Sequence, residues 1–203
     1  MIMTPEIEHF LRQDSKMAEA IEHTTLEPLV PYGGVFTALV RAIISQQLSE
    51  KVAQVIHERY LSLFEDRKPQ AGDVLKTDID SLRSVGLSRS KTQYILNVAD
   101  YFDQEGNRCD WHGMNNHDIM KILTKIKGVG EWTVQMILIF ELGRPDIFPY
   151  QDLGIQQGMR QLYKLEGKGK DLHIKMTEQA SAWQPYRSYA CRVIWQWRDK
   201  AGL

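Results

Sequence analysis

Apolar residues along the chain recur at helical spacing. Phe36, Leu39, Val40, Ile43 and Ile44 follow an i, i+3, i+4, i+7, i+8 pattern directly after Gly33 and Gly34, the stripe that one buried helix face requires. Ser49 and Glu50 restart a helix carrying Val52, Val55, Ile56, Tyr60, Leu63 and Phe64. Ser88 reads as the N-cap of a helix with Ile95, Val98 and Phe102 on its apolar side. Residues 103–116 read as a loop, with Asn116 capping a short helix that contains Ile119, Ile122 and Leu123. A turn at Gly128-Val129-Gly130 then opens a long apolar helix from Glu131 to Leu142, ended by Gly143 and Pro145. Further helices are expected near 153–163, 171–182 and 186–200, the last starting after Pro185. No segment alternates like a strand with hairpin turn chemistry, and no period repeats. The expectation is an all-α fold with roughly nine to eleven helices.

With 203 residues, 43% hydrophobic and 25% charged, the chain can bury a sizeable core, which excludes disorder over most of its length. No apolar run approaches the ~18 residues of a membrane span. The polar, acidic first sixteen residues do not read as a secretory signal. Cys109 and Cys191 have no C-x-x-C neighbours, which excludes a zinc finger or a four-cysteine iron–sulfur cluster and points to a reducing compartment. The net charge of −1 argues against a nucleic-acid partner until its distribution is considered. Residues 1–30 set six acids against Arg12 and Lys16, whereas residues 83–92 carry Arg83, Arg89 and Lys91 with no acid. Lys121, Lys125 and Lys127 face only Glu131 in residues 121–131, and residues 160–175 carry five bases against Glu166 and Asp171. These clusters suit either an anion-binding face or solvated helix surfaces.

The stretch from Leu123 to Thr133, LTKIKGVGEWT, adds a mechanism to the charge. Two glycines permit a tight bend and bring main-chain N–H groups close to an anion at a helix start, with Lys125 and Lys127 flanking. A plain helix–helix turn whose glycines serve packing remains the alternative. The stretch resembles the helix–hairpin–helix of the DNA glycosylase superfamily named for that hairpin, a Gly/Pro-rich loop and an aspartate. Pro145, Pro149 and then Asp152 come next, the last twenty positions beyond Trp132, and FPYQDLGIQQG resembles the loop that presents the essential aspartate. Arg41–Ser49, RAIISQQLS, resembles the segment whose loop enters the minor groove, and Trp183–Ala190, WQPYRSYA, resembles the C-terminal W-x-P-W/Y-R-S-x-A signature. Across residues 30–198 these motifs are similar to the 3-methyladenine DNA glycosylase II (AlkA-like) branch. The chain length leaves no room for that branch's added N-terminal β domain and suggests a compact form.

The resemblance implies two helical subdomains around a DNA-binding cleft, one over roughly 34–118 and one over roughly 1–33 plus 119–203. It implies a monofunctional DNA glycosylase of base excision repair that hydrolyses the N-glycosidic bond of alkylated purines, 3-methyladenine type, and leaves an abasic site. Asp152 would stabilise the oxocarbenium-like sugar; by its residue type alone it serves equally as an N-cap. Trp132, Trp183 and Tyr186 form the implied base pocket, where a cationic alkylated base gains from an aromatic face. For Trp132 a core position competes with that role. Met136 stands where a well-known member has a tyrosine, which leaves pocket shape and substrate range open. Trp111, Trp195 and Trp197 fall outside the matched positions and read as structural.

Gln46, Gln47 and Leu48 are the implied groove contacts. Gln47 is favoured as the side chain that fills the gap left by an extruded nucleotide, with Leu48 close behind; a core Leu48 and a helix-capping Gln46 are the alternative. Lys125, Lys127, Gly128, Val129, Gly130 and Thr133 would meet phosphates. Bifunctional members carry a nucleophilic lysine two positions after the hairpin's second glycine, and Trp132 occupies that position here. No cofactor is expected to be required, but the main-chain carbonyls of Thr124, Ile126 and Val129 are implied to hold a structural Na+ or K+. The expected partner is double-stranded DNA with alkylated bases, met by a monomer with no membrane attachment, in the cytoplasm (nucleoid) of a bacterium or the nucleus of a eukaryote. A glycosylase for deaminated or oxidised purines, or a non-catalytic helix–hairpin–helix binder, are the alternatives.

Overall fold

The computed structural model describes residues 1–200, and every regular element among them is helical. In chain order these are α1 (Pro5–Leu11), α2 (Ser15–Glu22), α3 (Val35–Ser45), α4 (Glu50–Leu61), α5 (Ala71–Lys76), α6 (Ile79–Ser84), α7 (Arg89–Gln104), α8 (Asn116–Leu123), α9 (Glu131–Met136), α10 (Leu153–Tyr163), α11 (Gly169–Ser181) and α12 (Arg187–Lys200). The all-α expectation holds, with twelve α-helices among the described residues. The short α5 and α6 bury Ala71, Val74 and Leu82 against α7 and are capped at their starts: Gln70 N–H donates to Asp73 Oδ2 at 2.9 Å, and Asp78 Oδ2 accepts from Asp80 and Ser81 N–H. Val52 and Val55, expected on the apolar side of α4, are 45% exposed, and α4 ends at Leu61 rather than Phe64. The cap of α8 is Asn115, whose Oδ1 accepts Asp118 N–H at 2.9 Å, so Asn116 is the first helical residue. The expected loop at 103–116 begins later, because α7 continues to Gln104 and a 3-10 turn occupies Gly106–Arg108.

The chain divides into two compact units, Pro31–Ile137 and Met1–Val30 together with the chain from Leu138 onward. The boundary therefore lies after Ile137, not at residue 118. The hairpin goes with residues 31–137 because its apolar side chains, Ile119, Leu123, Ile126 and Val134, are buried there and α9 packs on α3 and α8. In this unit α3 buries Phe36, Leu39, Val40, Ile43 and Ile44 as the pattern required, and packs along α7. Phe36 and Phe102 rings lie 5.6 Å apart, and Trp111 stacks on Phe102 at 5.8 Å while donating its indole N–H to Gly106 O at 3.0 Å.

The discontinuous unit is built on α2, α10 and α12 around Met17, Ile155, Met159, Leu172, Met176, Val193 and Ile194. Gly158 lets α10 approach α12, since a Cβ there would collide with the Ile194 side chain. Asp14 is the polar centre. Its Oδ1 caps α2 through Lys16 and Met17 N–H, and its Oδ2 accepts from Tyr163 Oη (2.9 Å), Gln179 Nε2 (3.0 Å) and Trp183 Nε1 (3.0 Å). The helix expected over 131–142 is α-helical only to Met136. It continues as a π turn over Ile137–Glu141, with Arg144 N–H on Leu138 O, and stops at Gly143 with φ +64°.

Candidate active site

Asp152 is placed by the loop before it and by α12. Arg187 clamps Asp146 from two sides, Nε to Oδ1 at 2.6 Å and Nη2 to Oδ2 at 2.9 Å. Ser188 Oγ accepts Ile147 N–H and Ser188 N–H donates to Pro145 O, both at 2.9 Å. The Arg-Ser pair of the WQPYRSYA stretch thus pins the loop that leads into α10. Asp152 N–H then donates to Pro149 O at 2.9 Å. The Asp152 carboxylate uses Oδ1 twice, accepting Ile155 N–H at 2.9 Å as the N-cap of α10 and the Trp195 indole N–H at 2.8 Å. Gly154 is required by the same contact, since a Cβ there would lie 2.9 Å from Trp195 Cδ1. Phe140 packs on Trp195 with ring centroids 5.6 Å apart.

The structure corrects the expectation that Trp195 is merely structural: it touches the candidate catalytic carboxylate directly. Its spacing carries a signal, for Trp195 lies seven residues, two helical turns, after Ser188 on the face that pins the loop. Trp183 is corrected in the opposite sense. It is 1% exposed, with its indole N–H on Asp14 and its ring against Phe148 and Tyr163, so it belongs to the core and presents no face to a base. Tyr186 is half-buried, edge-on to Phe10 at 5.3 Å and to Tyr189 at 6.1 Å. Trp132 and Met136 lie one turn apart on α9 and are both half-buried, so they share a face.

Within residues 31–137 the hairpin and the α3–α4 loop are tied together. Gly128 has φ +105°, and a Cβ there would lie 2.5 Å from Tyr94 Cβ. Asn97 Nδ2 donates to Lys127 O at 3.0 Å, and Gln46 Nε2 donates to Gly128 O at 3.3 Å. Gln46 therefore reaches the hairpin and does not cap a helix with its side chain. Gln47 and Leu48 are exposed at the loop tip, Gln47 with a left-handed φ of +58° and Leu48 37% exposed, so Leu48 is not a core residue. Lys125 and Lys127 are exposed. Val129 and Thr133 bury their side chains, at 5% and 3% exposure, and Val129 N–H is spent on Ile126 O at 3.0 Å. The Val129 N–H is thus not a phosphate donor, and Thr133 can offer only its main chain. Gln46, Gln47, Leu48, Lys125, Lys127, Gly128 and Gly130 remain candidate contacts. Asn97 and Lys91, whose ammonium sits 2.8 Å from Ile44 O, are signalled by no sequence motif.

The family described as HhH-GPD superfamily base excision DNA repair protein matches residues 40–185, which takes in the α3–α4 loop, the hairpin and Asp152. The chain belongs to the HhH-GPD superfamily. The matched residues also include the loop with Pro145 and Pro149. YfjP of Bacillus subtilis (strain 168) is 32% identical over 201 residues, covering 94% of this chain and 69% of that protein. DNA-3-methyladenine glycosylase 1 of Schizosaccharomyces pombe is 30% identical over 169 residues, covering 79% and 71%. The structure is similar to that of the Schizosaccharomyces pombe 3-methyladenine DNA glycosylase in complex with abasic DNA, with a TM-score of 0.79, 26% identity and coverage of 94% and 95%. It is also similar to a DNA-3-methyladenine glycosidase from Bacillus halodurans, at TM-score 0.80, 32% identity and coverage of 98% and 91%. No helix among the described residues is long and apolar enough to cross a membrane.

Proposed function

We propose that this HhH-GPD protein is a monofunctional DNA glycosylase that hydrolyses the N-glycosidic bond of alkylated purines, 3-methyladenine type, in double-stranded DNA and leaves an abasic site. The observation that carries the reading is the Asp152 carboxylate fixed by Ile155 N–H and Trp195 Nε1, on a chain whose position 132 is tryptophan. As the bond to an alkylated base breaks, positive charge builds on the sugar, and a carboxylate already oriented stabilises it without reorganising. With no lysine two positions after Gly130, no amine is supplied there to attack C1′, so water completes the reaction. The 3-methyladenine glycosylase names of the relatives favour alkylated over oxidised or deaminated purines.

On this reading Gln47 or Leu48 fills the gap left by the extruded nucleotide, and Trp132, Met136 and Tyr186 contribute to recognition of the base. Lys125, Lys127 and the hairpin amides hold the phosphates, and the enzyme acts as a monomer. A monovalent cation at the hairpin fits the chemistry of its carbonyls. Ile126 O accepts Val129 N–H but keeps a second lone pair, and no backbone N–H is bonded to Thr124 O or Val129 O among the described residues. Such an ion would add positive charge beside a phosphate.

Release of free 3-methyladenine from methylated duplex DNA tests the assignment. Asp152→Asn is expected to lose base release by at least ~100-fold while retaining DNA affinity. Borohydride added during the reaction is expected to trap no covalent adduct. Wild-type protein that binds but releases no methylated base would remove the alkylated-purine assignment. Release of hypoxanthine or 8-oxoguanine from the corresponding duplexes would then separate a glycosylase for another lesion from a non-catalytic binder.

A further inference from the structure

We propose that Lys91 is a positioning residue that holds the α3–α4 loop in the shape needed to wedge the duplex; this rests on the glycosylase reading. The last turn of α3 leaves carbonyls without helical partners. Gln46 N–H closes Ile43 O at 3.3 Å and Leu48 N–H closes Ser45 O at 3.2 Å. The carbonyl between them, Ile44 O, is closed by the Lys91 ammonium at 2.8 Å, a donor 47 positions away in the chain. A carbonyl at a protein surface can be satisfied by water. Recruiting a partly desolvated ammonium to it, one whose pKa burial pushes down, instead fixes the turn and places a cation at a helix C-terminus, where the dipole favours it.

The turn needs that support because of the backbone at its tip. Gln47 has φ +58°, a left-handed conformation that a non-glycine side chain holds only where its surroundings over-determine it. On one side Lys91 fixes Ile44, and on the other Gln46 Nε2 reaches Gly128 O. The side of α7 that carries Lys91 also carries Tyr94, packed against Gly128, and Asn97, bonded to Lys127 O. Three residues spaced by three along one rigid helix thus set the wedge loop and the hairpin in a common frame. Lys91 makes this contact through Ile44 and acts on the reaction only through the loop.

The test is a double-mutant cycle read by single-turnover base release from a methylated, fully paired duplex. Lys91→Met keeps the stem and removes the donor and the charge. It is expected to slow release about tenfold, the scale of one charged hydrogen bond. In a Gln47→Ala/Leu48→Ala background, where no wedge remains to be positioned, the same change is expected to cost less than twofold. Lys91→Arg restores a charged donor and is expected to recover most of the rate. An unchanged rate in Lys91→Met would overturn the proposal. Equal losses in both backgrounds, the mark of a general loss of fold, would also overturn it. Wild-type protein that releases no base would instead remove the glycosylase reading on which the proposal stands.

Discussion

The Asp152 carboxylate is oriented by two donors on a single oxygen, one from its own helix and one from a tryptophan 43 positions away. The cap alone would leave the carboxylate free to rock about its helix start; the indole N–H adds a second fixed direction. Trp195→Phe retains an aromatic ring beside Phe140 while removing the indole N–H donor, together with part of the indole's packing volume. We expect kcat to fall about tenfold, with KM changed less than twofold, because the contact holds a group that acts on developing charge and not on ground-state binding. A matching rise in KM would place Trp195 in substrate binding instead. The sequence alone does not assign the two tryptophans Trp183 and Trp195. Both sit in an aromatic C-terminal stretch. What consigns Trp183 to the core is Asp14, 169 positions away, and what brings Trp195 to the site is the loop pinned by Ser188. The Trp183–Asp14 relation has no local signature, and the seven-residue spacing of Ser188 and Trp195 becomes informative only once the loop that Ser188 pins is known.

Elements are legible in proportion to their length and amphipathicity. The α3 stripe, the Ser88 cap of α7 and the start of α10 after Asp152 stand where periodicity and capping chemistry put them. The six-residue α5 and α6 are shorter than the window in which a stripe shows, and the π turn at Ile137–Glu141 has no composition that announces it. The hairpin motif is legible in its glycines, but the two glycines do different things. Gly128 has a left-handed φ and lies against Tyr94, whereas Gly130 has φ −93° and nothing within 4 Å of where its Cβ would be. Gly128→Ala is expected to cost about 2–5 kcal/mol, the sum of a left-handed backbone and a crowded ring, and to lower the melting temperature by about 10 °C. Gly130→Ala should melt within about 1 °C of wild type. Any effect of Gly130→Ala belongs to DNA affinity, since its side chain would enter the space an approaching phosphate needs. Thermal melting of the two variants side by side separates packing from access.

Taken as a whole, a chain of net charge −1 has no global attraction for a polyanion, so its affinity for DNA must come from where the charge lies. Residues 1–30 are acidic, while Lys125 and Lys127 stand exposed at the hairpin and take no part in the ion pairs among the described residues. Composition alone points away from nucleic acid, and the local basic clusters, the one around the hairpin among them, qualify that. Each phosphate neutralised by a lysine releases counterions, so log Kd should rise linearly with log salt, with a slope near 0.9 per contact. Lys125→Ala/Lys127→Ala is expected to weaken binding to any duplex sequence and to reduce that slope by about 2 between roughly 50 and 200 mM salt. The affinity difference between damaged and undamaged duplex should stay within about twofold, because these lysines meet the backbone and carry no information about the base. A slope unchanged by the double substitution would mean that the lysines are solvated and that the main-chain amides of the hairpin hold the phosphates alone. A slope that fell only for damaged DNA would mean that they engage after the nucleotide is extruded rather than before.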